Sequence, residues 1–131
     1  MPRERLPITR NGKTKRIHLH YRVEGASVDL KIYVTTGEYE DGRLGEIFLK
    51  ADKAGSTISG LLDALSITAS LALQSGVQVE TLVEKWERMQ FAPAGTTTDP
   101  ELPRVASIVD AIARWLRRRY CPEADAPTDH T

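Results

Sequence analysis

From Arg16 the chain alternates between apolar and polar positions. Ile17, Leu19, Tyr21 and Val23 fall on one side, and Arg16, His18, His20 and Arg22 on the other. A period of two predicts a half-buried strand. Gly25-Ala26-Ser27 turns the chain. Val28, Leu30, Ile32 and Val34 then alternate with Asp29, Lys31, Tyr33 and Thr35, which predicts a second strand running as far as Tyr39. Asp41-Gly42 marks a hairpin turn, and residues 45–50 a third strand with Ile47 and Leu49 facing inward.

After a loop over 51–55 the period changes to that of a helix. Ser56 is the candidate N-cap, with Thr57 a near competitor. Ile58, Leu61, Leu62, Leu65, Ala69, Ala72 and Leu73 make one stripe, while Ala64, Ile67 and Leu71 cover much of the other side. A helix apolar nearly all round is expected to be buried on more than one face. Gly76 supplies its left-handed stop. A second helix is predicted over 79–89, with Val79, Leu82, Val83, Trp86 and Met89 on one face. A third is predicted to start at Asp99-Pro100-Glu101, an acid cap followed by a first-turn proline and acid. Leu102, Val105, Ile108, Val109, Ile112, Trp115 and Leu116 would form its buried stripe.

The sum is an α+β fold: a three-stranded antiparallel sheet followed by three helices packed on one face. Residues 16–120 form one domain, 1–15 a basic extended arm and 121–131 a disordered tail. Two sheet edges and a two-sided apolar helix predict a homodimer or docking onto a larger protein.

The chain has 131 residues, with Lys+Arg and Asp+Glu at 18 each, so its formal net charge is zero. Overall charge therefore gives no argument for nucleic acid or membrane. The charge is unevenly placed. Residues 1–22 hold Arg3, Arg5, Arg10, Lys13, Lys15, Arg16 and Arg22 against Glu4 alone, a local +6 that leaves −6 for the remainder. Such an arm is either solvated or in contact with an anionic surface. The single cysteine, Cys121, allows no internal disulfide and no multi-cysteine zinc site, which fits a reducing cytosol. No apolar leader opens the sequence, and residues 58–73 are broken by Ser59, Gly60, Asp63, Ser66, Thr68 and Ser70. That stretch reads as a buried helix, with no membrane association expected.

Candidate chemistry is sparse. His18 and His20 leave one strand face together, a spacing that can bind metal. No third ligand follows from local spacing, and Arg16 and Arg22 share that face, so no metal is expected. Gly55-Ser56-Thr57 at a helix start could receive an anion or be an ordinary cap. Asp63 is the only charge between Gly55 and Val79. It is exposed at the helix edge, paired with Lys50, Lys53 or an arm arginine, or functional. Cys121 lacks a Cys-x-x-Cys partner, though three preceding arginines would lower its pKa. Glu38, Glu40 and Asp41 read as a solvated turn.

Several motifs together resemble one family. They are Arg5-Leu6-Pro7, Tyr39-Glu40-Asp41-Gly42, Gly45-Glu46-Ile47-Phe48, Gly55-Ser56-Thr57 through Asp63, Ser70-Leu71-Ala72-Leu73-Gln74, Gly76-Val77, Glu80-Thr81-Leu82-Val83 and Phe91-x-Pro93-x-Gly95. In order and spacing the chain is similar to the TSCPD domain, the C-terminal domain of cobalamin-dependent ribonucleotide reductases. The naming motif is not intact: Thr96-Thr97-Thr98-Asp99-Pro100 stands where other branches read Thr-Ser-Cys-Pro-Asp. A thiol role attached to that motif is therefore in doubt here.

The resemblance implies a module normally attached to a large catalytic barrel. Radical machinery cannot fit in 131 residues with one cysteine, so the chain is not expected to be a reductase by itself. Cobalamin would belong to the parent enzyme, and no cofactor is expected here. The first expectation is a non-catalytic accessory module docking on ribonucleotide reductase or another protein of nucleotide metabolism. Its basic arm and the arginines ending the third helix would supply contacts. The alternative is a nucleotide- or phosphate-binding module, with Gly55, Ser56, Thr57 and Asp63 at the helix start and Arg10, Lys13, Lys15 and Arg16 closing over the ligand. A small enzyme acting through Asp63 or Cys121 is the third.

Overall fold

The computed structural model describes residues 2–52, 57–91 and 94–121. Strands β1 (Thr14–Val23), β2 (Ala26–Glu38) and β3 (Leu44–Ala51) form an antiparallel meander. Helices α1 (Thr57–Gln74) and α2 (Val79–Trp86) follow, then two short strands, β4 (Gly95–Thr97) and β5 (Arg104–Val105), and finally α3 (Ile108–Tyr120). The sheet has five strands in the order β3-β2-β1-β4-β5, all neighbours antiparallel. The α+β class and the three helices stand. The three-stranded sheet is corrected to five.

The β1–β2 turn is tighter than the expected Gly25-Ala26-Ser27. Val23 pairs with Ala26, and Glu24 (φ 51°) and Gly25 (φ 84°) make a two-residue turn with both central residues left-handed. Ile17 and Leu19 of β1, Leu30, Ile32 and Val34 of β2, and Ile47 and Leu49 of β3 share one face and are buried. Val83 and Trp86 of α2, and Ile112, Trp115 and Leu116 of α3, join them in one core cluster.

The larger correction lies between 95 and 107. Asp99-Pro100-Glu101 does not start a helix. Asp99 sits in the turn joining β4 to β5, where its backbone oxygen accepts from the Leu102 amide at 2.9 Å and its carboxylate from the Glu101 amide at 2.9 Å. Thr97 closes the same turn by donating its hydroxyl to the Leu102 carbonyl at 2.6 Å. β4 lies so close to β1 that a Cβ on Gly95 would stand 2.0 Å from the His20 carbonyl oxygen, so only glycine fits there. Helix α3 begins later, at a Ser107 cap whose hydroxyl accepts from the Asp110 amide at 3.0 Å.

Helix α2 also stops earlier than expected. Its C-cap Glu87 is already extended (φ −62°, ψ 138°) and Arg88 follows at φ 66°, so Met89 falls outside the helix and is exposed. The stop of α1 is as expected: Gly76 has φ 108°, and the Val77 amide reaches back to the Ala72 carbonyl at 3.0 Å. This is the Schellman arrangement.

Candidate docking face

Helix α1 rides along the outer edge of β3. Ser66, Ser70 and Gln74 recur every four residues and so stack on one line of the helix. The Leu49 amide donates to the Ser66 hydroxyl at 2.9 Å, and the Ile47 amide to the Ser70 hydroxyl at 3.0 Å. Ser70 returns a bond to the Ile47 carbonyl at 3.2 Å, and the Gln74 amide donates to the Gly45 carbonyl at 2.9 Å. Groups that a sixth strand would have paired are met by side chains of a helix. Two of the polar residues that interrupt α1, Ser66 and Ser70, thus have a structural task. The edge at β3 offers little to a second sheet, so an edge-paired dimer loses its basis there.

That seating decides which face of α1 stays open. Leu62, Ala69 and Leu73 turn into the core beside Ser66. The expected stripe is corrected at Leu61, which is 66% exposed, and Ile67 is 63% exposed. The helix is buried on one side within this chain, not on two. Ile67 and Leu71 border a groove of about 630 Å³ that also takes in Phe48, the outward residue of β3. Arg3, Glu46, Lys50 and Asp63 rim it. An apolar floor with rim charges of both signs is the usual anatomy of a protein contact. Helix α1 is also long and apolar enough to pass a length-and-composition test for a membrane span, with a mean hydropathy of 1.2. Its bonds to β3 make it a packed helix of this domain.

Those of the residues proposed for an anion site that are described do not gather in one place. Gly55 and Ser56, like Lys53, lie outside the described residues. Thr57 opens α1 and is exposed. Asp63 is exposed on the groove rim and makes no ion pair among the described residues. Arg10 bonds Glu46 at 2.6 Å, between the two β3 residues that meet Ser70 and Gln74. Ser70 is about 20 Å along the helix from Thr57 at 1.5 Å per residue. Lys13 pairs with Glu38 at 3.2 Å, Lys15 with Asp99 at 2.5 Å, and Arg16 stays exposed on β1. Three cations of the basic segment, Arg10, Lys13 and Lys15, are therefore neutralised by acids elsewhere in the chain.

These pairs leave their mark on the acids. The hydrogen bond from Tyr120 (2.5 Å), then Lys13, holds the Glu38 carboxyl below the usual carboxylate range. Lys15 does the same for Asp99. Burial and the bond to Glu38 push the Tyr120 phenol up. Cys121 is buried in the core cluster at the end of α3, so its neighbourhood is apolar as well as cationic.

A second hollow, of about 730 Å³, was not legible from the sequence. It lies between α2, α3 and the β4–β5 hairpin and is lined by Arg88, Arg104, Arg114 and Asp110, among others. Asp110 is buried and accepts the amides of Arg88 (2.8 Å) and Ala106 (2.9 Å). Arg114 is held by the Arg104 carbonyl at 2.7 Å. The Arg88 and Arg104 guanidiniums make no hydrogen bond or ion pair among the described residues. A hairpin that sequence reasoning took for a helix start builds one wall, so the hollow could not be foreseen.

The comparisons with known proteins agree on kinship. The model of the TSCPD domain matches residues 6–120. A vitamin B12-dependent ribonucleotide reductase of Streptantibioticus cattleyicolor is 45% identical over 120 residues, covering 92% of this chain and 19% of the relative. The reductase of the same name from Streptomyces clavuligerus is also 45% identical over 120 residues, covering 92% of this chain and 12% of the relative. One from Rhodopirellula baltica is 40% identical over 114 residues, covering 87% and 10%. The chain thus spans a tenth to a fifth of the length of these curated relatives. No solved structure matches it. With the family model covering nearly the whole described fold, the chain belongs to the TSCPD domain family.

Proposed function

We propose that this domain is a non-catalytic docking module of deoxynucleotide supply, acting in the cytoplasm. The observation that carries the reading is the open face of α1, where Ile67 and Leu71 stand beside Phe48 above a rim of mixed charge. The proposed occupant is the body of a vitamin B12-dependent ribonucleotide reductase. In the relatives the matching segment is part of a polypeptide five to ten times its length, and the rest of that polypeptide is where such a face would find its cover. The test is calorimetric titration of the domain into that reductase, with Ile67→Asp/Leu71→Asp as the contrast. Both positions are solvent-facing, so the variant should keep its fold. Binding at least tenfold weaker in the variant is the expected result. No heat from the wild type at 100 μM, or equal affinity for both, removes the reading.

A second reading rests on the arginine-lined hollow. An anionic ligand such as a nucleotide would be met there by Arg88 and Arg104, whose guanidiniums have no partner among the described residues. A thermal-shift panel of nucleotides decides it. A rise in Tm that vanishes in Arg88→Ala/Arg104→Ala supports the reading, and a flat panel retires it.

A further inference from the structure

The outer face of the sheet gathers a set of ligand-type side chains on which the docking reading does not draw. His18 and His20 are two apart on β1, and the β1–β2 register places Asp29 directly opposite His20. No third ligand was visible in local spacing because Asp29 arrives by strand pairing. The imidazole rings lie 4.3 Å apart between centroids, and one donor atom from each of His18, His20 and Asp29 lies within 4.8 Å of the other two. His20 Nδ1 and Asp29 Oδ1 are 2.6 Å apart, a hydrogen bond. His18 Nε2 is different. It is shut off from solvent and has no hydrogen-bond partner among the described residues, with Asp29 Oδ2 standing 3.5 Å away. A buried ring nitrogen without a partner is costly unless something binds it.

We propose that His18, His20 and Asp29 form a binding site for a divalent transition-metal ion. Metal–ligand bonds of about 2.0–2.2 Å in tetrahedral array put neighbouring donor atoms about 3.4 Å apart, close to the His18–Asp29 separation. The ion takes the lone pair of His18 Nε2 and an oxygen of Asp29. His20 gives up its hydrogen bond to Asp29, and any proton held in it, to become the third ligand. Asp29, 56% exposed, keeps the cluster within reach of solvent, from which water would fill the remaining position. Three cations surround the cluster: Lys31 across from His18, and Arg16 and Arg22 along the strand. Arg22 is turned to the Gly25 carbonyl at 2.7 Å. The cations disfavour Mg²⁺ and Ca²⁺, which are held largely by charge. They select an ion that bonds imidazole nitrogen, such as Zn²⁺ or Co²⁺.

The test uses Zn²⁺ by calorimetry and Co²⁺ by visible absorption on the full chain. One equivalent per chain is expected. His18→Ala, His20→Ala and Asp29→Asn should each weaken binding at least tenfold, with the far-ultraviolet circular dichroism unchanged. His130→Ala should leave it intact. If a variant fails to fold, the ring resonances of His18 and His20 decide on the wild type: both must shift on adding one equivalent of Zn²⁺. Absence of uptake, or uptake that survives loss of both histidines, overturns the site.

Discussion

Tyr120 shows how much one hydroxyl can organise. It donates to Glu38 at 2.5 Å, stands 2.8 Å from the Thr36 hydroxyl, and has Lys13 over its ring. The last turn of α3, the end of β2 and the N-terminal segment therefore meet around one side chain. Replacing it, as Tyr120→Phe, should cost about 1.5–3 kcal/mol in chemical denaturation, the usual worth of a bond to a charged acceptor. The pH dependence follows from the same contact. The Glu38 carboxyl is depressed in the folded chain, so its contribution is complete above the unfolded-state value. It is lost as pH falls through the folded one. Asp99, depressed by Lys15, acts in the same direction. Stability should therefore decline as pH falls below about 4, where unperturbed carboxyls titrate. The decline should be shallower in Tyr120→Phe. An identical slope in both proteins would contradict the assignment.

At the level of elements, most of the architecture could be read from periodicity. Alternation located three strands because one face is buried, and the run from Ile58 to Leu73 located α1. Two things escaped. Leu102 and Val105 are spaced as if they led into the buried residues of α3, and Pro100 between acids imitates a first helical turn. Yet Leu102 is buried from a hairpin, and the true start was signalled by Ser107 and Asp110, a capping spacing. The other was the use of the serines. Hydropathy marks Ser66 as an interruption, but its partner is a backbone amide across a gap in sequence, which no local pattern reveals. Ser66→Ala leaves the Leu49 amide without its acceptor and should cost about 1–3 kcal/mol. Ser70 is only partly buried, and Ser70→Ala should cost less. Denaturant titration of both variants checks the order. The scattered anion-site residues were beyond reach for the same reason: Arg10, Lys13 and Lys15 each find an acid on a different element.

For the whole molecule, the N-terminal segment behaves as a strap. The Glu4 amide bonds the Gln74 carbonyl at 2.7 Å, the Tyr39 hydroxyl bonds the Glu4 carbonyl at 2.5 Å, and Arg43 grips the Glu4 carboxylate with two nitrogens at 3.1 and 3.0 Å. Leu6 lies so close to Gly45 that a Cβ there would meet it at 2.6 Å. Arg10 then ties the strap to Glu46. Deleting residues 1–10 should lower Tm by several degrees, since each kcal/mol lost moves a domain of this size by roughly 3–6 °C. An unchanged Tm would show the strap to be idle. The sealed edge of β3 carries one more consequence. The amides of Ile47 and Leu49 are covered by a helix where a strand would ordinarily lie, so their exchange with deuterium reports whether that helix is seated. A binder that only covers α1 would slow those two positions, and one that pries it loose would release them ahead of every other amide in the meander.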